Sequence, residues 1–178
     1  MISRAPLAWL LGLAAIGAVP VARAGDTVRR TGDVLHYALP AAALAVAWDH
    51  RDGTGAKEFA EAAVVTVGVT HALKHLVDET RPDGGTQSFP SGHASFTAVA
   101  AEFLRERYGW KYGGPAYAVA AFVAYSRVES KKHYTHDVLA GDAIGIGAAA
   151  VFTRPYRSAQ VGVAYGAEFR GVCASWTF

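Results

Sequence analysis

The sequence predicts an all-α fold, in which a bundle of about five helices follows a signal peptide and ends in a short C-terminal β-hairpin. Three observations support this prediction. Long segments rich in alanine and valine alternate with short breaks of proline, glycine and small polar residues. The 178 residues are 52% hydrophobic, which suits one domain with a sizeable core. After Arg154-Pro155 the apolar residues occur at every second position, as they do in strands.

The N-terminus has the pattern of a secretory signal peptide. Arg4 supplies a positive charge, residues 5–19 are apolar, and residues 22–24 read A-x-A, which is a cleavage signal. Residues 1–24 are therefore predicted to be removed, and an uncleaved N-terminal anchor is the alternative. We expect the mature protein to be exported to the periplasm. The single cysteine, Cys173, cannot form an internal disulfide, so packing alone would hold the fold together.

Turn-forming residues separate the five predicted helices. The helices cover residues 34–48, 57–77, 93–108, 116–125 and 133–152. Asp33 is predicted to be the N-cap of the first helix, after a polar lead-in. The break before the fourth helix is predicted to run from Gly109 to Pro115. Gly141 and Gly145 share a face of the fifth helix and would allow a neighbouring helix to approach closely.

The C-terminal segment differs in period from the rest of the chain. Apolar residues alternate over 161–169 and again over 172–178, which predicts a β-hairpin. The chain is therefore divided into a signal peptide at 1–24, a helical domain at 25–157 and a hairpin extension at 158–178.

Charge and hydropathy restrict the partners. A formal net charge of +2 and the lack of any Lys/Arg tract argue against a nucleic-acid partner. A membrane-spanning helix needs about 20 apolar residues, whereas the second helix carries charges at both ends and the fifth contains Asp142. We expect an exported helical domain that rests on the membrane surface or is partly embedded in it. Whether these alanine-rich helices span the membrane is left open.

The first of three polar clusters is a histidine–aspartate pair. His133 and Asp137 lie about one helical turn apart, so they would share a face. A carboxylate that is bonded to one imidazole nitrogen fixes the tautomer and leaves the other nitrogen as a nucleophile or base. The alternative is an ordinary surface pair that adds a few tenths of a kcal/mol to a helix.

The second cluster, Ser91-Gly92-His93, follows a proline and begins a helix. Free N–H groups and the positive end of the dipole at a helix start bind anions. Gly92 would let an oxyanion approach the backbone closely. His93 would lie at the mouth of the site and could give a proton to a leaving oxygen. A common serine N-cap beside an incidental histidine is the alternative.

The third cluster consists of fixed cations. Arg81 and Arg127 have planar guanidinium groups that suit bidentate contacts with a phosphate, and Lys74 adds a point charge. Pro82 stiffens the chain directly after Arg81. Taken singly, each cation could equally be a solvated surface charge.

Together the clusters form one long, ordered motif between Lys74 and Asp137, which reads K-x6-R-P, then P-S-G-H, then S-R-x5-H-x3-D. At every fixed position this motif resembles that of the type 2 phosphatidic acid phosphatase (PAP2) superfamily. The superfamily includes bacterial class A acid phosphatases and vanadium haloperoxidases. The resemblance implies a helical bundle, and it covers neither the signal region nor the C-terminal hairpin.

The resemblance also implies a function: hydrolysis of phosphomonoesters or pyrophosphates through a phosphohistidine. His133 would attack phosphorus, Asp137 would orient and polarise His133, and His93 would protonate the leaving alkoxide. The other motif residues would hold the phosphoryl oxygens, and these are Lys74, Arg81, Ser91, Gly92 and Arg127. The scheme needs no metal and no cofactor.

A short linker indicates the size of the substrate. Only residues 83–89 separate Arg81-Pro82 from Pro90, whereas the soluble acid phosphatases that resemble this chain usually have a longer segment. Little material is left for a lid, so we expect an open site that accepts the head group of a lipid phosphate or a polyprenyl pyrophosphate.

Two alternative functions are kept. One is a vanadate-dependent haloperoxidase, because vanadate mimics phosphate in the same cradle. The other is a non-catalytic protein that binds lipid phosphates. His71 and His75 have metal-ligand spacing on a helix, but no third ligand accompanies them in a known place, and no metal site is predicted.

Overall fold

The computed structural model describes residues 24–156, 158–165 and 170–177, so the predicted signal peptide lies outside the described residues except for Ala24. The predicted all-α bundle of five helices is confirmed. The helices are α1 (Ala24–Asp49), α2 (Gly53–Leu76), α3 (Gly92–Tyr108), α4 (Trp110–Glu129) and α5 (Thr135–Phe152). Two strands follow, β1 (Ser158–Tyr165) and β2 (Arg170–Thr177), which pair antiparallel with Ser158 opposite Thr177.

Helix α1 begins ten residues earlier than the sequence predicts, at Ala24 instead of Val34. Asp33 is therefore not an N-cap but lies inside the helix. The polar lead-in is helical, and within it Arg29 Nη1 lies 3.6 Å from Asp33 Oδ2 one turn later. Gly32 does not break the helix either, since it is the point where α1 lies against α4. A Cβ at position 32 would come within 2.1 Å of Ser126 Oγ.

Helix α4 also begins earlier than predicted, at Trp110 instead of Ala116. Gly109 alone makes the break between α3 and α4, because it adopts a φ of +81°, which glycine reaches at low steric cost. Its N–H donates to the Arg105 carbonyl and so ends α3. Pro115 lies inside α4, within its first two turns, and does not delay its start.

Helix α3 is the centre of the bundle and contacts each of the other four helices. Val99, Phe103 and Leu104 on α3 are almost completely buried. The Phe103 ring packs on the Phe59 ring of α2, with the ring centroids 5.0 Å apart. Because α3 is enclosed in this way, its first turn at Gly92 is held in a fixed position at one end of the bundle.

Two glycines on α5 allow it to lie directly against α3, as predicted. A Cβ on Gly145 would lie 2.2 Å from the Ser95 carbonyl oxygen and 2.7 Å from the Val99 nitrogen. A Cβ on Gly141 would lie 2.5 Å from the Ser91 carbonyl oxygen. These are backbone atoms of a buried helix, so they cannot rotate away as a side chain could.

Gly145→Ala is therefore expected to push α5 away from α3 and to destabilise the fold by about 1–3 kcal/mol. Gly147→Ala on the same helix is the matched control, because no atom lies within 4 Å of a Cβ at that position. This control should be neutral or stabilising by up to about 1 kcal/mol, since alanine favours helices. Thermal unfolding followed by circular dichroism compares the two variants, and equal stabilities would contradict the close approach of α5 to α3.

A buried ion-pair cluster closes one end of the bundle. Arg107 on α3 donates through Nε and Nη2 to both carboxylate oxygens of Asp52, each at 2.7 Å. Its Nη1 donates to Glu58 Oε2 at 3.1 Å and to the Arg154 carbonyl at 2.7 Å. The Tyr108 hydroxyl donates to the same aspartate at 2.8 Å. The cluster therefore joins the start of α2 and the end of α3 to the segment after α5.

Several helix faces expose large apolar side chains. Among the described residues no helix is both long enough and apolar enough to cross a membrane. The most exposed large apolar side chains are Val34, Tyr37, Trp48, Val64, Leu76, Trp110, Leu139 and Val151.

Candidate active site

A pocket of about 260 Å³ lies at the end of the bundle opposite the Arg107 cluster. It is lined by residues from four helices and two loops, namely Arg29, Asp33, Lys74, Arg81, Gly92, His93, Arg127, Lys132 and His133. Five of these nine residues are lysine or arginine and one, Asp33, is acidic. The pocket is therefore suited to an anion that carries more than one negative charge.

The first turn of α3 forms one wall of this pocket. Ser91 is the N-cap of α3, and its Oγ accepts a hydrogen bond from the Ala94 N–H at 3.4 Å. Gly92 and His93, at the start of the helix, line the pocket with the positive end of the helix dipole. Ser91 itself is fully buried and lies behind the pocket, where its N–H donates to the Asp137 carbonyl at 2.9 Å.

Lys74 extends from the last turn of α2 into the pocket. Its Nζ donates to the Gln87 carbonyl at 2.8 Å, which fixes the side chain against the loop that precedes α3. Burial, together with the nearby charge of Arg81, lowers the pKa of Lys74 to about 8 against the opposing effect of Asp137. Lys74 is therefore a cation at neutral pH that loses its charge under mildly alkaline conditions.

Arg127 is the most deeply buried cation of the pocket. Its Nη1 donates to Asp33 Oδ1 at 2.6 Å, and its Nη2 donates to the Arg29 carbonyl at 2.9 Å. Its Nε donates to Ser126 Oγ at 3.1 Å. The absence of a side chain at Gly32 leaves the space that the guanidinium fills, because a Cβ there would lie 2.6 Å from Nη2.

Arg81 and Lys132 reach the pocket lining from loops. Arg81 Nε donates to the Thr86 carbonyl at 3.0 Å. Lys132 Nζ lies 2.6 Å from Asp83 Oδ2. Both side chains thereby hold the short linker before α3 in place.

His133 and Asp137 lie together where α5 begins. His133 Nδ1 is 3.5 Å from Asp137 Oδ2, which is beyond hydrogen-bond distance but within range of a strong charge interaction. Asp137 Oδ2 instead accepts from Ser88 Oγ at 2.5 Å and from the Tyr134 N–H at 2.8 Å. Asp137 is completely buried, so its carboxylate is a fixed negative charge directly behind the His133 ring.

The His133 ring is kept neutral by its surroundings. Burial, together with the positive charges of Arg81 and Lys74, lowers the pKa of His133 to about 4 and outweighs the opposing effect of Asp137. A neutral imidazole retains a lone pair for attack on an electrophile. With Nδ1 directed towards Asp137, Nε2 is the nitrogen that remains for a molecule in the pocket.

His93 faces His133 across the pocket lining. Its Nε2 lies 3.4 Å from Asp33 Oδ1, and its ring packs against the His36 ring with the centroids 4.2 Å apart. Burial, together with the neighbouring His36 and Arg127, lowers the pKa of His93 to about 3 and outweighs the opposing effect of Asp33. A bound anion would act in the same direction as Asp33 and favour a protonated His93.

Besides Arg29, three polar residues of this site are not identified by the sequence motif. Asp33 contacts both Arg127 and His93, Ser88 holds the Asp137 carboxylate, and Lys132 adds a fifth cation to the pocket. For Asp33 the one signal in the sequence is its helical spacing from Arg29, which would have argued for a helix through this region. Nothing local in the sequence marks Ser88.

The fold and the pocket together form a helical bundle with a cationic, histidine-containing site at one end. The chain belongs to the PAP2 superfamily, whose sequence profile matches residues 83–159, and it is a PAP2-type phosphatase.

Two curated relatives and one solved structure are similar to this chain. Lipid A 4'-phosphatase of Helicobacter pylori (strain J99) is 32% identical and covers 85% of this chain and 82% of its own length. Lipid A 1-phosphatase of Helicobacter pylori (strain 26695) is 29% identical and covers 67% of this chain and 70% of its own length. The crystal structure of Aquifex aeolicus LpxE superposes with a TM-score of 0.64 at 18% identity, over 82% of this chain and 91% of that one, which shows a shared fold.

Proposed function

We propose that this protein removes a phosphate monoester from a lipid of the lipid A class through a phosphohistidine intermediate. The observation that carries the proposal is the neutral His133 ring between a buried carboxylate and five cations. The choice of lipid rests on the relatives that are named lipid A phosphatases.

In the first step His133 Nε2 attacks phosphorus, and the bond from phosphorus to the leaving oxygen breaks. The imidazole becomes positively charged as the N–P bond forms, and the buried Asp137 carboxylate stabilises this charge. His93 gives its proton to the leaving oxygen, so that the lipid departs as an alcohol. The substrate's own negative charge favours the protonated form of His93 before this transfer.

In the second step water attacks the phosphohistidine. His93, now neutral, takes a proton from the water, the N–P bond breaks, and His133 is restored while inorganic phosphate leaves. In both steps charge is carried on the equatorial oxygens of the phosphoryl group, and Lys74, Arg81 and Arg127 stabilise it. The first-turn N–H groups of α3 at Gly92 supply further stabilisation from the helix start.

A second pocket of about 270 Å³ is the proposed path of the leaving group. It shares Gly92 and His93 with the phosphate pocket and is otherwise lined by side chains of α1, α2 and α3, including Val67 and Phe96. His93 therefore stands between the two pockets, where an acid must be to protonate an oxygen that bridges them. Val67 is 42% exposed, so this pocket opens onto the apolar outer surface of α2.

We further propose that the exposed apolar helix faces rest against the bilayer that contains the substrate. Val64 and Leu76 on α2 are 72% and 79% exposed, and Leu139 on α5 is 62% exposed. Exposed apolar area of this kind is costly in water and favourable at a lipid surface. A periplasmic location remains the expectation from residues 1–24, and the helical domain at 25–157 is the proposed catalytic unit.

The test compares two substrates with the purified full chain and without added metal. We expect kcat/KM for bis-phosphorylated lipid A in mixed micelles to exceed that for p-nitrophenyl phosphate by about 100-fold, because the second pocket contributes only to the larger substrate. Mass spectrometry of the product identifies which of the two phosphates is removed. Equal kcat/KM values for the two substrates would contradict the lipid assignment. If the wild-type protein released phosphate from neither substrate, the result would contradict a phosphatase that acts on these esters.

The pH dependence of kcat/KM is expected to have one limb on each side of a plateau. Activity should fall above about pH 8, because Lys74 loses its charge as the pH rises through its pKa of about 8. It should also fall towards pH 4, because His133 gains a proton as the pH falls through its pKa of about 4 and no longer has a free lone pair.

Lys74→Arg serves as the control for this profile, since arginine keeps its charge throughout the range. The alkaline limb should disappear in this variant up to about pH 10, while the acid limb stays in place. An alkaline limb that is unchanged in Lys74→Arg would show that another group is responsible.

A further inference from the structure

We propose that Glu79, His136 and Asp137 form a binding site for a divalent transition metal of the Zn²⁺ type, and that the bound metal inhibits the phosphatase. The inhibitory part rests on the proposed function, whereas the binding part does not. The three side chains lie beside the phosphate pocket, on the side of Asp137 that faces away from His133.

The distances between the three side chains suit a metal ion. His136 Nε2 lies 3.0 Å from Glu79 Oε1 and 3.2 Å from Asp137 Oδ1, and the three ligand atoms all lie within 4.8 Å of one another. Tetrahedral zinc, with bonds of about 2.0–2.2 Å, places neighbouring ligand atoms about 3.3 Å apart. The two separations measured from His136 Nε2 are close to this value, and the carboxylate oxygens of Glu79 and Asp137 lie within 4.8 Å of each other, so side-chain movements of at most about 1.5 Å are needed.

A second, independent observation comes from the buried carboxylate. Asp137 is completely buried, and within the described residues its Oδ1 accepts no hydrogen bond. Its other oxygen, Oδ2, is held by Ser88 and Tyr134. A buried oxygen without a partner is costly, and Oδ1 is directed towards His136. A metal ion between the two residues would provide the missing partner.

The chemistry of the ligands favours zinc over the lighter divalent ions. Imidazole nitrogens and carboxylate oxygens both serve as zinc ligands, whereas magnesium prefers oxygen ligands alone. The His136 ring is held in place by stacking on Tyr134 with an interplanar angle of 8° and on Phe89 with an angle of 30°. The His136 side chain is 59% exposed, so the ion can enter from solvent and a water molecule can occupy the fourth position.

Inhibition follows from the position of Asp137. The carboxylate is the negative charge that stabilises the imidazole of His133 once it carries the phosphoryl group. A dication on Oδ1 would cancel this charge and add positive charge near a histidine that must itself become positive. The metal therefore raises the barrier to phosphoryl transfer while leaving the contacts of Ser88 and Tyr134 with Oδ2 in place.

The experiment measures zinc binding by isothermal titration calorimetry on the full chain in a phosphate-free buffer. We expect one Zn²⁺ per wild-type chain, and binding that is at least about tenfold weaker in His136→Ala and in Glu79→Gln. His75→Ala, which removes another exposed histidine, should bind as the wild type does. Absence of zinc binding, or equal binding by wild type and His136→Ala, would overturn the site.

Activity assays then test the inhibitory role. Saturating Zn²⁺ should lower the turnover of the wild type by about tenfold or more and leave that of His136→Ala nearly unchanged, with similar metal-free activities. Zinc that binds without lowering turnover would overturn the inhibition. Calorimetry measures zinc binding without turnover. If the proposed phosphatase function were wrong, the binding result would therefore stand, and this failure can be told apart from failure of the metal site.

Discussion

His133→Ala is expected to lower phosphate release by about 1000-fold or more, because the variant lacks the nucleophile that we propose forms the covalent intermediate. The cations and the start of α3 remain, so affinity for inorganic phosphate should change by less than about tenfold. Steady-state turnover on the lipid substrate measures the first effect, and calorimetry with inorganic phosphate measures the second. A large loss of turnover with retained binding is the signature of a missing reacting group.

Two further measurements make this test specific. Rapid quenching of the wild type during turnover should trap an acid-labile phosphoprotein, and the same experiment on His133→Ala should trap none. His136→Ala is the matched control, since it removes a neighbouring histidine that is 59% exposed and does not line the phosphate pocket. Wild-type turnover in His133→Ala would rule out His133 as the nucleophile.

Most of the phosphate pocket could be predicted because its residues lie at helix ends. Lys74 comes from the end of α2, His93 from the start of α3, and His133 from just before α5. Breaks rich in proline and glycine are visible in the sequence and place these ends at the surface. The fixed spacing between the motif clusters then identifies which helix ends meet. Local hydrophobic periodicity alone would not identify them.

The role of α1 in the site could not be predicted from the sequence. Asp33 looks like an N-cap because a polar segment precedes it and an apolar segment follows. What makes the segment helical is a set of distant contacts, of which the one between Asp33 and Arg127 spans 94 residues. Propensity within a short window cannot register a partner so far along the chain.

The contact between His133 and Asp137 also differs from the one that the sequence predicts, because a residue distant in sequence takes part. Their spacing predicts a direct hydrogen bond, but Ser88 and the Tyr134 N–H occupy the Asp137 oxygen that faces the ring. Ser88 lies 49 residues away in sequence and has no recognisable motif of its own. The carboxylate consequently acts on His133 through charge, which is effective at 3.5 Å in a buried setting.

The two ends of the bundle use charge in opposite ways. At the phosphate end five cations surround one aspartate, and the excess positive charge is available to a substrate. At the other end Arg107 is surrounded by the carboxylates of Asp52 and Glu58, so its charge is compensated within the protein. The Arg154 carbonyl and the Tyr156 ring also contact its guanidinium. Binding therefore depends on the first set of charges and stability on the second. The two can be separated by mutation because they lie at opposite ends of the helices.

Arg107→Met is expected to destabilise the protein by about 3–5 kcal/mol, because it leaves the Asp52 carboxylate buried without its cation. The side chains of Arg107 and Asp52 are 7% and 3% exposed, so water cannot replace the lost contacts. Although burial raises the pKa of Asp52, hydrogen bonds from Arg107, the Gly55 N–H and Tyr108 outweigh it and lower the pKa. The carboxylate is therefore charged in the native protein and would remain a buried charge when Arg107 is removed.

Urea unfolding followed by circular dichroism measures this change, and the thermal midpoint should fall by about 6–20 °C. Lys57→Met is the control, since it breaks an exposed pair with Glu61 at 3.7 Å and should change stability by less than about 1 kcal/mol. Adding Asp52→Asn to Arg107→Met should recover part of the loss, because the amide removes the uncompensated charge and still caps α2. If Arg107→Met were as stable as Lys57→Met, the ion-pair cluster would not be what holds this end of the bundle closed. Both variants should retain the wild-type kcat, because the proposed phosphate site lies at the far end of the bundle.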